Sequence, residues 1–136
     1  MDNCVFCKIA KREVPAAIVY EDEAFLAFLD ITPLFEGHCL LITKSHVETL
    51  ADLPPDSVGP FFLAGQRLAR AVETAMGAQG TFVALNNKVS QSVPHIHLHV
   101  VPRRKGDGLK GFFWPRSKYA TAERMNEVAA QIAAAL

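Results

Sequence analysis

The chain has 136 residues, half of them hydrophobic, and its 14 basic and 14 acidic side chains balance at pH 7. A domain of this length buries roughly two thirds of the surface that its unfolded chain exposes, so it can form a core without disulfides. Zero net charge argues against a nucleic-acid polymer as partner, because such binding depends on many cations that neutralise phosphates. The longest apolar stretches fall far short of the ~18 residues that span a bilayer, so we expect a cytoplasmic protein with no membrane partner.

The secondary structure predicted in chain order alternates between strands and helices. Short β-prone runs bounded by charged or turn residues predict strands at Ala17–Tyr20, Glu23–Asp30, Gly37–Thr43, Thr81–Leu85 and Pro94–Val101. A long core helix is predicted from Pro54 to Gly77, and a capped, alanine-rich helix at Thr121–Leu136. These elements indicate an α+β protein with a largely antiparallel sheet of about five strands, one face of which the long helix covers. We predict a single domain over 1–136, with a core at 1–105 and a C-terminal extension at 106–136.

Three of the five histidines alternate with apolar residues in the run His95-Ile96-His97-Leu98-His99-Val100-Val101. Side chains of a strand alternate between its faces, so this pattern predicts three imidazoles facing water and the apolar residues between them facing the core. Solvent-facing strand positions have no structural need for imidazole, so the row indicates a function. Neutral imidazole serves as a metal ligand and as a nucleophile or general base, and the residues alone leave both uses open.

A second motif, Cys4-x-x-Cys7, lies ahead of the first predicted strand. Its spacing lets two thiolates reach one tetrahedral ion, but it supplies only two of four ligands. A redox-active dithiol and a pair of free thiols are the alternatives; the redox motif, however, normally follows a strand within a βαβ unit. Cys39, alone in an apolar run, is predicted to be a small buried hydrophobe.

These motifs resemble the histidine triad (HIT) family of nucleotide hydrolases and transferases, whose hallmark is His-φ-His-φ-His-φ-φ with φ apolar. The resemblance covers most of the chain, through Cys4–Ile9, Phe28–Pro33, Gly37–Ile42, Lys44–His46 and Gln91–Arg103. It implies a HIT-like fold and cleavage of a purine nucleotide at its α-phosphate through a covalent nucleotidyl-histidine. The implied substrates are adenosine phosphoramidates or dinucleoside polyphosphates, which share an AMP-like part.

The resemblance also implies a role for individual residues. His97 is the expected nucleophile, and His99 is expected to donate to a non-bridging phosphate oxygen. His38 is expected to hydrogen-bond near the triad, and Ser92 to steady or protonate the leaving group. Asp30 is expected to accept from the ribose hydroxyls, and the remaining nucleotide contacts are expected from Phe6, Ile9, Phe28, Ile31, Leu40, Asn86 and Gln91. The apolar members are equally credible as core residues. Asp30 has an alternative as a solvated turn carboxylate, and His38 as an ordinary hydrogen-bonded histidine.

In the branch of this family that carries the two cysteines, a closed structural zinc site is completed by two histidines. The resemblance therefore implies one zinc per chain, bound by Cys4, Cys7, His46 and His95. It also implies a homodimer formed through the long helix and adjoining strands. The apolar run Phe61-Phe62-Leu63 is wider than one core-facing stripe requires, which favours such an interface.

Two questions stay open from the sequence. The segment from Arg103 to Lys118 holds six basic residues against Asp107, and it either extends phosphate binding beyond the α-position or forms a solvated loop. The leading hypothesis for the function is an enzyme that cleaves nucleotides at the α-phosphate, as the resemblance implies. The alternatives are a purine-nucleotide-binding regulatory protein with incidental turnover and a zinc-dependent hydrolase that uses two triad histidines as catalytic ligands.

Overall fold

The computed structural model describes residues 3–109 and 116–136, so Lys110 of the basic segment lies outside the described residues. The chain forms two compact units, residues 1–105 and residues 106–136. Within the described ranges, no helix has both the length and the apolar character that crossing a bilayer requires.

The first unit is built on one five-stranded sheet. Its strands are β1 (Ile18–Glu21), β2 (Phe25–Leu29), β3 (Cys39–Thr43), β4 (Gly80–Ala84) and β5 (His97–Arg103). They lie in the order β1-β2-β3-β5-β4, and each neighbouring pair is antiparallel. The predicted α+β fold with a largely antiparallel sheet is therefore confirmed. The helices are α1 (Val5–Ala10), α2 (Pro55–Met76) and, in the second unit, α3 (Ala122–Ala135), with a short 3-10 turn at Leu50–Asp52.

Helix α2 covers one face of the sheet, as predicted. Proline in its first turn needs no N–H partner, and Gly77 ends the helix in the left-handed conformation, with φ of +58°. The buried side of α2, which includes Phe61, Leu68 and Val72, packs with strand residues into one core cluster. A Cβ atom at Gly65 would lie 2.6 Å from the Leu98 side chain, so this glycine allows the close approach of α2 to β5.

Helix α1 covers the opposite face of the sheet, which the sequence led us to expect in water. Its residues form a second buried cluster with β2 and β3, made of Cys4, Phe6, Cys7, Ile9, Leu26, Phe28, Leu40 and Ile42. Consequently His95 is 0% exposed and His97 only 3%. The prediction of three solvent-facing imidazoles is wrong, because a helix of six residues is too short to show the periodicity by which helices are recognised.

The strand that carries the triad begins at His97, three residues later than predicted. The backbone turns before it: the N–H of His95 donates to Val93 O at 2.8 Å, and the N–H of Ile96 donates to Val47 O at 2.6 Å. Pro94 has no N–H to offer a sheet neighbour, so pairing starts after it. His95 therefore lies outside the strand, while the expected inward placement of Ile96, Leu98 and Val100 is confirmed.

Candidate functional site

The two cysteines of the CxxC motif are brought together by the start of α1. Cys4 is the N-cap residue, and its Sγ accepts from the backbone N–H of Cys7 at 3.5 Å. A cap side chain bends back over the first turn of its helix, which places both sulfurs at the same end. Local helix geometry thus builds half of a ligand set.

Two histidines complete this group from distant parts of the chain. Cys7 Sγ lies 3.2 Å from His46 Nδ1, and His95 Nδ1 lies 3.4 Å from Cys4 Sγ and 3.6 Å from Cys7 Sγ. A tetrahedral ion with bonds of about 2.3 Å to sulfur and about 2.0 Å to nitrogen would separate S and N by about 3.5 Å. The four ligand atoms all lie within 4.8 Å of one another. Their spacing therefore fits one tetrahedral ion with no open position.

The hydrogen bonds around these ligands support the same arrangement. His95 Nε2 lies 2.7 Å from Thr43 O, and a carbonyl only accepts, so Nε2 carries the proton and Nδ1 turns its lone pair toward the sulfurs. Burial raises the pKa of the Cys7 thiol, and Cys4 beside it acts in the same direction. A cation among the four side chains would favour the thiolates.

His97 is fixed in one tautomer by the backbone of His95. Its Nδ1 lies 2.7 Å from His95 O, so Nδ1 carries a proton and, in the neutral form of the ring, the lone pair lies on Nε2. The ring of Phe6 packs edge-on against it, with centroids 5.1 Å apart. An oriented, neutral imidazole with a free lone pair has the form that nucleophilic catalysis requires.

His99 is held in the opposite tautomer through His38. The backbone N–H of Leu34 donates to His38 Nδ1 at 3.1 Å, so His38 keeps its proton on Nε2, 3.0 Å from His99 Nδ1. His99 accepts there and carries its own proton on Nε2. Asp30 adds a carboxylate 3.8 Å from His38 Nε2. The His97 and His99 rings, 5.0 Å apart, thus offer a lone pair and a donor side by side.

The surroundings lower the pKa of both His99 and His38. Burial, together with His97 and His38, lowers the pKa of His99 to about 4, although Asp30 opposes the shift. Burial also lowers the pKa of His38, and Asp30 again acts in the other direction. At neutral pH, His99 is therefore a hydrogen-bond donor without a formal charge.

Of the five apolar residues expected at the nucleotide base, the structure brings four together. They are less than 8% exposed and lie in the cluster under α1: Phe6, Ile9, Phe28 and Leu40. Ile31 is 92% exposed and lies outside that cluster. Asp30 follows β2 directly, and its Oδ1 accepts from the backbone N–H of Thr32 at 2.9 Å.

The remaining expected contacts lie in the loop between β4 and the triad. Asn86 and Ser92 are exposed, whereas both amide atoms of Gln91 are engaged: Nε2 donates to Glu48 O at 2.6 Å and Oε1 accepts from Lys88 N at 2.9 Å. Gln91 therefore ties its loop to the segment that follows β3.

Sequence reasoning missed the groups that set the tautomers. Thr43 O and His95 O hold two histidines, and the N–H of Leu34 holds a third. These are backbone groups: every residue supplies a carbonyl, and every residue except proline supplies an N–H. No side-chain pattern could therefore have revealed them.

Comparison with known proteins places these features in one family. The HIT domain model matches residues 11–106. An uncharacterized HIT-like protein of Mycobacterium tuberculosis is 42% identical over 135 residues, which cover 94% of each chain. The adenosine 5′-monophosphoramidase of Saccharomyces cerevisiae is 38% identical over 82% of this chain and 70% of its own length.

Solved structures agree with this result. A HIT family protein from Bacillus subtilis superposes with a TM-score of 0.88 at 36% identity, covering 98% of this chain and 97% of its own. A zinc-bound histidine triad family protein from Mycobacterium smegmatis is 41% identical, with a TM-score of 0.75 and 99% coverage of both chains. The expected HIT-like fold is confirmed.

The depressed pKa of His99 predicts how the protein responds to acid. An unfolded histidine titrates near pH 6.5 and folded His99 near about 4, so between these values only the unfolded state takes up the proton. The free energy of unfolding should therefore fall as the pH drops from 6.5 towards 4, and His99→Asn should flatten part of this slope. NMR titration of the His99 ring checks the pKa directly; a midpoint near 6.5 would contradict it.

Proposed function

Because the chain belongs to the HIT family, we propose that it is a nucleotidyl-transferring hydrolase that cleaves adenosine 5′-phosphoramidates at the α-phosphate. The observation that carries the proposal is the pair of opposite tautomers, with a bare Nε2 on His97 beside an N–H donor on His99. Attack on a phosphoryl centre needs both a nucleophile and a donor to the oxygens on which negative charge accumulates.

In the first step, the Nε2 lone pair of His97 forms a bond to phosphorus while the P–N bond of the substrate breaks. The leaving amine takes that electron pair and a proton, which the Ser92 hydroxyl relays from water. The nucleotidylated imidazole is cationic, and its Nδ1–H remains bonded to His95 O, which stabilises the positive charge. His99 Nε2–H donates to a non-bridging oxygen throughout.

In the second step, a water oxygen forms a bond to phosphorus and the N–P bond to His97 breaks. The electron pair returns to Nε2, the water proton goes to solvent, and AMP leaves. Because Nδ1–H never moves, the ring returns to its starting tautomer without a further proton transfer.

Phosphoramidates are favoured over dinucleoside polyphosphates by the position of the basic residues of the first unit. At a strand rise of about 3.3 Å per residue, Arg103 lies roughly 20 Å from His97 along β5. Arg104 donates to Met76 O, and the N–H of Lys105 donates to Gln79 Oε1, so both are tied to the end of α2. The side chains of Arg103 and Arg104 are therefore not placed to bind a phosphate chain that begins at His97.

A structural zinc bound by Cys4, Cys7, His46 and His95 is the second part of the proposal. Two thiolates and two neutral imidazoles at tetrahedral spacing suit zinc, and a closed shell leaves it no site for substrate. Its contribution is to stabilise the fold by joining α1 to the triad segment. None of the three cysteines forms a disulfide, which supports a reducing, cytoplasmic setting.

The homodimer is the third part. Strand β4 is an edge of the sheet, with Val83 43% exposed, and α2 exposes Phe62 at 39% and Leu63 at 59%. An edge strand next to exposed apolar side chains favours association with a second copy of the same surface.

His97→Ala should lower kcat with an adenosine phosphoramidate by about 10³-fold or more, and AMP affinity should stay within about tenfold, since most contacts lie elsewhere. Acid-quenched wild-type protein should carry an adenylyl group, and His97→Ala should not. Near-normal turnover by the variant would refute the covalent mechanism. Tight AMP binding by a wild-type protein without turnover would instead favour the regulatory function.

Protein purified without chelators should contain about one zinc per chain by elemental analysis. Cys4→Ser with Cys7→Ser should abolish zinc binding and lower the thermal midpoint more than it lowers activity in the fraction that stays folded. Cys39→Ala removes the third thiol, which lies outside the cluster, and should leave the zinc content unchanged. A metal-free wild-type protein of undiminished stability would rule out the structural zinc.

Light scattering at tens of micromolar should give twice the 14.9 kDa of one chain. Leu63→Glu places a charge in the proposed interface and should shift the mass towards that of a monomer. Val89→Glu puts the same charge on an exposed loop and should not. A monomeric wild-type protein at this concentration would contradict the dimer.

A further inference from the structure

A cavity of about 360 Å³ lies beside the triad segment. One wall is the stretch Ser92–Pro94, and the other walls come from the start of α1 and the segment after β3: Asn3, Val5, His46 and Glu48. Pro94 directly precedes His95, whose carbonyl holds the nucleophile, and Val5 adjoins Phe6, which packs on the His97 ring. Ser92, the residue proposed to act on the leaving group, itself lines this cavity, and that contact connects the cavity to the leaving-group side of the site.

Glu48 is held beside this wall by hydrogen bonds between two loops. Its carbonyl accepts from Gln91 Nε2 at 2.6 Å, one residue before Ser92. Two residues later, the N–H of Leu50 donates to Asn87 Oδ1 at 2.9 Å. The backbone that carries the Glu48 carboxylate is thus fixed against the loop that carries the Ser92 hydroxyl.

The carboxylate of Glu48 gives the cavity its charge. Among the described residues that line the cavity, Glu48 has the only ionised side chain that is not a zinc ligand. No ion pair within the described ranges involves it. The proposed zinc with two thiolates and two neutral imidazoles carries no net charge, so it does not offset the carboxylate. A group entering this cavity therefore meets the negative charge of the Glu48 carboxylate.

We infer that this cavity binds the leaving amine and that Glu48 is a specificity residue, which selects amines carrying a second, positively charged group. This inference rests on the proposed function. When the P–N bond breaks, the amine leaves with the bonding electron pair and a proton, and its distal ammonium stays beside the Glu48 carboxylate. An anionic leaving group, such as a carboxylate-bearing amine or a phosphate chain, is disfavoured by the same charge.

The test compares three adenosine 5′-phosphoramidates whose leaving amines match in length: pentylamine, 1,5-diaminopentane and 5-aminopentanoate. For the wild type, kcat/KM should be about fivefold higher for the diamine than for pentylamine and about fivefold lower for the carboxylate, since exposed charge pairs act weakly. Glu48→Gln should bring the three values to within about twofold of one another. Glu48→Lys should invert their order, and 0.5 M salt should compress the wild-type ratios.

Glu73→Gln is the matched control, because it removes the same charge from α2 on the opposite face of the sheet. It should leave the wild-type ratios intact. If all three amides are hydrolysed at equal rates, or if the ratios survive Glu48→Gln, the inference is overturned and the proposed function stands. If none of the three is hydrolysed, the proposed function is overturned, and the inference with it.

Discussion

His95 is held on three sides, and the rest of the site depends on those three bonds. Its Nε2–H donates to Thr43 O, its Nδ1 faces the sulfurs of Cys4 and Cys7, and its carbonyl accepts from His97 Nδ1. The side chain thus joins the N-terminal helix to β3, while the backbone of the same residue orients the nucleophile. Stability of the N-terminal segment and orientation of His97 are two consequences of one fixed residue.

The orientation of His99 depends on hydrogen bonds alone. The Leu34 N–H fixes the tautomer of His38, and His38 in turn fixes that of His99, so His99 presents an N–H donor. The carbonyl of His95, in contrast, fixes His97 so that it presents a lone pair. Burial keeps His99 neutral, which means that it can donate to a phosphate oxygen without first gaining a proton. The proposed donor therefore needs no protonation before it can act beside the proposed nucleophile, His97.

The sequence predicted the parts of this structure that follow from periodicity and failed where backbone geometry decides. Helix α2 has a proline start, a 3.6-residue apolar repeat and a glycine end, and it forms where those signals place it. Alternation in the triad run predicted which face Leu98 occupies. Helix α1 was too short to detect, and its presence buries the histidines that alternation alone assigned to water. The tautomers of His95 and His97 depend on carbonyl groups, which every residue possesses.

The balance of charge in the site bears on the kind of phosphate that it can bind. The proposed donor His99 is a neutral imidazole, and the cations Arg103 and Arg104 lie towards the far end of β5. The carboxylate of Asp30 lies beside His38, and that of Glu48 lines the cavity next to Ser92. Hydrogen-bond donors suffice for a single α-phosphate, whose charge is small and partly delocalised. In the proposed function, a polyphosphate chain would bring several negative charges towards a cavity that is lined by the Glu48 carboxylate. The proposed preference for a phosphoramidate therefore depends on the smaller negative charge that this substrate brings to the site.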